Sequence, residues 1–199
     1  MKLHLLTCCV SFPSSARSPL LSNPSLASVV SSKSGSQLKS ITSQKYCIRD
    51  TNQQVLVLQG SILVAAPDKL PKTGETFYVL ASTHTKIAEG NPNFLAVSKE
   101  ELCLCCERVE EPNSPSLELK KTNIKELNAL GKKESLPFTF LKQEAGSYFT
   151  LESAANRGYF IFTSNTPSQP VGVTKVMGKE KNIHFSFEAA NVGLEVVRS

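Results

Sequence analysis

Leu151-Glu152-Ser153-Ala154-Ala155-Asn156-Arg157-Gly158-Tyr159-Phe160-Ile161-Phe162-Thr163 compresses a strand, a polar turn and a returning strand into one short segment. Just upstream, Tyr148, Thr150 and Glu152 alternate with Phe149, Leu151 and Ser153, the period of a half-buried strand. Ala154 to Gly158 is the turn, and Gly158 can take a positive φ there without steric cost. Tyr159 to Thr163 then returns as a run of aromatic and β-branched residues, which suits a second strand.

The same grammar occurs twice more. Val55 to Leu58, the turn Gln59-Gly60-Ser61, and Ile62 to Ala66 form one instance; Phe94 to Val97, the turn Ser98 to Glu101, and Leu102 to Cys106 form the other. Three hairpins of one kind at intervals of roughly fifty residues imply a threefold internal repeat of pattern rather than of letters. The expected fold is all-β, a β-trefoil of twelve strands with pseudo-threefold symmetry. The strands are expected at 45–50, 55–59, 62–66, 76–82, 93–97, 102–108, 116–120, 137–142, 148–153, 159–163, 171–175 and 184–188. Pro67, Pro71, Gly74, Gly90-Asn91-Pro92, Pro112 to Pro115, Gly146, Pro167 and Gly178 supply the turns between them. One helical turn is expected after Thr122, which can cap it, with Ile124, Leu127 and Leu130 near one face.

Ahead of this lies a different kind of sequence. The segment 1–44 is rich in Ser and Pro, poor in aromatics and without a period, as in a disordered, basic pro-segment. Residues 45–190 are the expected trefoil domain and 191–199 a C-terminal tail. The formal charge of +5 belongs to the start of the chain: Lys2, Arg17, Lys33, Lys39, Lys45 and Arg49 precede the first acidic residue, Asp50. The folded part is therefore near neutral and offers no basic groove, so direct nucleic-acid binding is not expected. Lys2 followed by an apolar run from Leu3 to Val10 and then Ser14-Ser15-Ala16 mimics a short secretory signal, and the acid-free, Ser-rich start mimics a transit peptide. The apolar run is short and broken by His4, and Arg is scarce. No stretch reaches the roughly eighteen apolar residues of a membrane span.

The Cys residues read as core. Cys103, Cys105 and Cys106 crowd one strand, where local pairing is geometrically poor, so buried thiols acting as small apolar residues are expected. That usage, with no glycosylation sequon, points to synthesis in a reducing cytosol.

Catalytic equipment is sparse. A nucleophilic Cys needs a base in reach, and the chain offers only His4, His84 and His184, none within a hydrolase motif. Cys103-X-Cys105-Cys106 has the ligand chemistry of half a zinc site, but no second cluster at a matching spacing. Glu100-Glu101 and Glu110-Glu111 are neighbours in sequence, and on a strand neighbours point to opposite faces. There is no phosphate-binding loop, dinucleotide fingerprint or nucleophile elbow. No catalytic residue, metal or cofactor is expected, which leaves binding. Ricin-type carbohydrate-binding trefoils use Gln-X-Trp motifs, and this chain has no Trp. Heparin-binding trefoils concentrate Lys and Arg, and plant Kunitz inhibitors brace a loop with disulfides. A trefoil ligand for carbohydrate or another protein stays as an alternative.

The segment LESAANRGYFIFTS followed by Gln169-Pro170-Val171-Gly172-Val173-Thr174 resembles the signature region of the interleukin-1 cytokine family. Asn52 to Val55, Leu56 to Gln59, Ala66 to Lys69, Leu102 to Cys105, Ser116 to Lys120 and Phe138 to Phe140 agree with the interleukin-36 and interleukin-37 branch, nearer its interleukin-37 side. The resemblance covers about Tyr46 to Ala190. Leu151, Arg157 and Phe162 depart from the signature, and Tyr159 replaces a Trp common in close relatives. The resemblance implies a cytokine held between immunoglobulin-like domains of a receptor of the interleukin-1 family, the interleukin-18 receptor α chain with an inhibitory co-receptor. It implies a suppressor of innate inflammation, with an interleukin-36-like agonist as the alternative. Secretion without a conventional signal peptide, and a cytoplasmic or nuclear presence, go with it. An interface of about 800 Å² per partner drawn from rim loops would take Arg49, Asp50 and Asn52; Asp68, Lys69 and Lys72; and Lys179, Glu180 and Lys181. The branch's aliphatic-X-Asp landmark is met by Ile48-Arg49-Asp50 and points to a processed start near Lys39.

Overall fold

The computed structural model describes residues 42–68, 74–84, 90–110, 113–176 and 178–190. All fall within one compact unit, Ser40–Ser199. The expected pro-segment up to residue 41, the tail 191–199, and Lys39, Lys69 and Lys72 lie outside the described residues.

Fourteen strands occur among the described residues. The first group is β1 (Gln44–Asp50), β2 (Gln54–Gln59), β3 (Ile62–Pro67) and β4 (Phe77–Ala81). The second is β5 (Asn91–Val97), β6 (Leu102–Val109), β7 (Ser114–Lys121) and β8 (Phe140–Ala145). The third is β9 (Tyr148–Ser153), β10 (Phe160–Ser164), β11 (Gln169–Pro170), β12 (Gly172–Thr174), β13 (Lys181–Asn182) and β14 (Phe185–Ala189). The two strands beyond the expected twelve, β11 and β13, are two-residue bridges, too short for any periodicity to announce.

The ladder closes on itself. β1 pairs with β4, β4 with β5, β5 with β8, β8 with β9, β9 with β14 and β14 with β1, all antiparallel. Six strands thus make a barrel without free edges, the arrangement that removes the edge-strand liability. On it sit the hairpins β2–β3, β6–β7 and β10–β12. Each is joined at one corner: Arg49 opposite Val55, Ala96 opposite Cys103, and Glu152 opposite Phe160. This is a threefold β-trefoil. The three hairpins read from sequence are not all equivalent in it, however. Those at Phe94 and Leu151 are barrel-to-cap corners, whereas Val55 to Ala66 is a cap hairpin, and the corner of the first repeat is the turn 51–53.

Packing repeats the symmetry more faithfully than the letters do. The last strand of each repeat begins with a fully buried Phe: Phe77, Phe140 and Phe185. With Ile48, Leu95, Leu104, Leu151 and Ile161 they fill the barrel, and each buried side chain of this size stabilises by about 1.5–3 kcal/mol. β5 is apolar on both faces. Leu95 and Val97 enter the barrel, while Phe94 and Ala96 pack with Leu80 and Cys103 under Ile124 and Leu127. At the barrel mouth the Lys142 ammonium lies 4.0 Å from the ring centroids of Phe149 and Phe187 and 5.5 Å from that of Tyr46.

Two local expectations shift. The turn Ile124–Asn128 is 3₁₀ and is capped by Asn123, whose side chain accepts from the Lys125 N–H at 3.0 Å. Thr122 stands one residue before the cap position, its N–H donating to the Glu101 carbonyl beside the β6–β7 ladder. Residues 136–138 form a 3₁₀ turn instead of the start of a strand. Pro137 presets a helical φ there and has no N–H for a ladder.

The hairpin at Leu151 is held from several sides. Gly158 has φ +82°. Its N–H donates to Glu152 Oε1 at 2.6 Å, and Arg157 Nε does so at 3.0 Å. Asn156 Nδ2 donates across to the Cys106 carbonyl at 3.1 Å. Cys103, Cys105 and Cys106 are fully buried free thiols. Burial pushes the first two up to about 12, so they are not thiolates at neutral pH and lack the form that attacks or binds metal.

Candidate functional site

The candidate residues hang on the end of β1, where strand alternation sends successive side chains opposite ways. Ile48 and Asp50 point inward and are buried, while Arg49 between them reaches the outer surface. Asp50 is a carboxylate that folding takes wholly out of solvent. Its Oδ1 accepts from the N–H groups of Asn52 and Gln54, each at 2.9 Å. Its Oδ2 accepts from Gln54 Nε2 at 2.9 Å and Thr163 Oγ1 at 2.7 Å. Four donors replace the lost water, as a buried charge requires. Asp50 therefore presents nothing to a partner in this conformation; it fixes the β1–β2 turn and ties it to β10.

Arg49 and Asp68 meet directly in an ion pair, and Arg49 Nε donates to Glu188 Oε2 at 3.1 Å. The hydrogen bond to Asp68 is the main cause that raises the guanidinium above its ordinary value. Arg49 and Glu188 border a groove of about 230 Å³, shared with Cys47, Gly74, Thr76 and the chain at 189–190. The Cys47 thiol is half-buried and is pushed up chiefly by that burial, against the pull of Arg49.

A second group gathers at the rim. Asn52 Nδ2 donates to Asn165 Oδ1 at 2.9 Å. Asn165 in turn donates from its main chain to the Glu180 carbonyl at 3.1 Å and from Nδ2 to the Lys179 carbonyl. Asn182 Nδ2 donates to Thr51 Oγ1. Three loops far apart in sequence are thereby laced together, with Asn52, Lys179 and Glu180 exposed on the result. Lys181 is turned back: its ammonium lies 4.8 Å from the Phe162 ring centroid and 3.0 Å from Thr174 Oγ1.

The structure thus divides the expected set into a paired Arg49–Asp68 group and a rim of Asn52, Lys179, Glu180 and Lys181. Two members were missed from sequence. Glu188 carries a signal, since it alternates with Phe185 and Phe187 and so faces outward beside Arg49. Asn165 carries none, because a polar residue in a Ser/Thr/Pro loop looks like any other. Of the described His residues, neither His84 nor His184 enters either group; His84 Nε2 lies 2.6 Å from the Asn128 main-chain oxygen.

Comparison with known proteins agrees with this architecture. Residues 72–187 match the family model described as Interleukin-1 / 18. The chain is 39% identical to human interleukin-37 over 183 residues, 91% of this chain and 83% of that protein. It is 33% identical to human interleukin-36 alpha over 152 residues, 74% of this chain and 94% of the relative. Among solved structures, an interleukin-36alpha determined by NMR superposes with a TM-score of 0.61 at 32% identity, covering 76% of this chain and 96% of that one. A chicken interleukin-1 beta variant gives 0.65 at 24% identity, covering 74% and 97%, a likeness of fold alone. A six-stranded barrel with three cap hairpins and a match along most of the chain lead to one conclusion: this protein belongs to the interleukin-1 family and is a cytokine, not an enzyme.

Proposed function

We propose that this cytokine binds receptors of the interleukin-1-receptor family through the rim and the Arg49 group, and that it suppresses innate inflammatory signalling. The observation that carries the reading is the 39% identity with interleukin-37 along 91% of the chain. The interleukin-18 receptor α chain is the primary receptor in this reading, and an inhibitory chain is recruited to the composite surface. Arg49, Asn52, Asp68, Lys179, Glu180 and Lys181 supply polar contacts, and Lys69 and Lys72 contribute further positive charge. A rigid rim suits this task, because ordering side chains on binding costs about 0.5–1.5 kcal/mol each and here the loops are already laced. The protein leaves the cell without a conventional signal peptide and also acts in the cytoplasm and nucleus. Trimming near Lys39 changes its receptor affinity.

Surface-plasmon binding to immobilised ectodomains tests this, using the full chain and a form beginning at Lys39. Binding to the interleukin-18 receptor α chain, weakened by charge reversal at Lys179 and Glu180, supports the reading. Binding only to the interleukin-36 receptor favours the second reading, a pro-inflammatory agonist, which the 33% identity to interleukin-36 alpha motivates. Binding to neither by folded protein refutes both, and equal affinities for the two forms refute the role of trimming.

A further inference from the structure

Of the three cap hairpins, only the first has its outer strand covered among the described residues; the uncovered edge of the second, β7, lies beside a largely apolar groove. In the first repeat the outer edge of β3 is covered. β11 pairs with it, Gln169 opposite Ala65 and Pro170 opposite Val64. The Ser168 N–H donates to the Ala65 carbonyl at 2.7 Å and the Val171 N–H to that of Leu63 at 2.9 Å. β11 comes from the connection between β10 and β12, which is long enough to lay a short strand there. The threefold operation carries β11 and β3 onto the connection between β2 and β3 and onto β7. That connection is only the turn Gly60-Ser61, too short to contribute a covering strand.

Among the described residues, β7 accordingly ladders with β6 alone. Between it and the β2–β3 turn lies a groove of about 310 Å³, walled by Ile62, Leu63, residues 117–119 and residues 170–171, with Ser61 and Glu118 as its polar members. Ile62 is a large apolar side chain left 49% exposed. The ends of β7 carry the residues that discourage edge pairing, Pro115, Lys120 and Lys121. Its middle, Ser116 to Leu119, carries a single charge, Glu118. Lys120 is engaged by Glu107 at 2.6 Å; Glu118 is exposed, makes no hydrogen bond or ion pair among the described residues, and acts on Lys120 through its charge alone.

We propose that β7 and this groove are a docking site for an extended segment of a partner protein. The segment adds as a short strand to the outer edge of β7, in place of the cover that β11 gives β3. Main-chain hydrogen bonds supply affinity and alternate side chains supply selectivity. Leu117 and Leu119 share one face and Glu118 takes the other, so the complementary segment reads apolar-basic-apolar, its Lys or Arg beside Glu118. Charge argues against a second copy as the occupant, because antiparallel docking about the same point sets Glu118 opposite Glu118. The groove's volume, at the low end of the roughly 300–1,000 Å³ of small-molecule sites, suits one or two side chains better than a separate ligand.

The test titrates the full, isotope-labelled chain with capped hexapeptides that hold Val, Ile, Leu or Phe on either side of a central Lys or Arg. Expected are amide shifts and slowed exchange confined to β7, the β2–β3 turn and Val171. Glu118→Lys should weaken binding about tenfold, and Ile62→Ala several-fold. Both positions are exposed, so the variants should fold, which circular dichroism checks. A peptide N-methylated on the edge-facing amides should not bind. Retained binding of that peptide overturns strand addition in favour of a purely apolar pocket. Unchanged affinity in both variants, no peptide binding below about millimolar concentration, or a dimer in sedimentation that Glu118→Lys dissociates each overturns the proposal.

Discussion

Replacing Asp50 by Ala removes the acceptor that joins the β1–β2 turn to β10, and the structure sets the size of the effect. Four donors converge on this carboxylate. Hydrogen bonds to a charged group contribute about 1.5–3 kcal/mol each, and donors stranded without water cost about 1–3 kcal/mol. The four are not equal. Asn52 is exposed, so its N–H regains water; Gln54 and Thr163 are buried. Gln54 Nε2 keeps the Ser164 carbonyl at 2.9 Å, and Thr163 Oγ1 has only a long contact of 3.5 Å to the Asn182 carbonyl. Two stranded donors and a small cavity come to about 3–5 kcal/mol, a third or more of the total for an ordinary domain. Asp50→Asn should cost less, about 1–2 kcal/mol. Turning the Gln54 amide over brings Oε1, which has no partner among the described residues, onto the new Nδ2, at the expense of the Nε2 bond to the Ser164 carbonyl.

Urea denaturation followed by circular dichroism measures this, since the chain has no Trp. With a slope near 2 kcal/mol/M, Asp50→Ala should lower the midpoint by roughly 1.5–2.5 M. Thr163→Val alone should cost about 1–1.5 kcal/mol, and the double variant should lose less than the sum of the singles, because they share one bond. A loss below about 1 kcal/mol for Asp50→Ala, or equal losses for Ala and Asn, would refute the reasoning.

Glu100 is partly desolvated, which raises its pKa, but bonds from Lys125 and Ser43 prevail and hold it below 4.5. Its stabilisation is therefore complete above the unfolded value and lost as pH falls through the folded one. In acid titrations of stability, Glu100→Gln should converge with the parent as pH falls from the ordinary carboxylate value through the depressed folded one, and a gap that widens there contradicts the assignment. Lys142 is shifted the other way, lowered from 10.5 chiefly by desolvation. The unfolded chain then binds more protons in the window just below 10.5, so parent stability should rise with pH there while Lys142→Met stays flat; parallel curves count against a desolvated ammonium. Alkylation of the native protein near pH 8, read by mass spectrometry, should reach Cys47 at least about tenfold faster than the buried Cys103, Cys105 or Cys106, and comparable rates would mean that the core thiols are open to solvent.

The parts of this fold that were legible are those written in periodicity. The turn at Ala154 to Gly158 announces itself because a positive φ needs Gly and the flanking strands are rich in aromatics. The thiols were legible as core because three Cys in four residues cannot pair locally. Less visible was anything set by another part of the chain. β11 and β13 exist only because β3 and β10 lie beside them, and the lacing of Asn52 through Asn165 to residues 179 and 180 joins loops with no shared pattern. Asp50 is a different kind of miss, since alternation already places it on the face of Ile48. Its charge outweighed its position in the reading; in the fold, position prevailed because four donors were waiting.

That distinction decides how loss of receptor binding should be interpreted. Arg49 and Asn52 flank Asp50, one aimed outward by strand alternation and the other held in a turn whose geometry the Asp50 carboxylate dictates. A change at Asp50 would release Asn52, slacken its link through Asn165 to the loop at 179–181, and loosen the register that sets Arg49 against Asp68 and Glu188. Weakened binding in Asp50→Ala would then coincide with lost stability and be partly restored in Asp50→Asn. Arg49→Ala leaves the turn intact, so a direct contact there should weaken binding with little change in the unfolding midpoint, and only that separation assigns the contact to Arg49 itself.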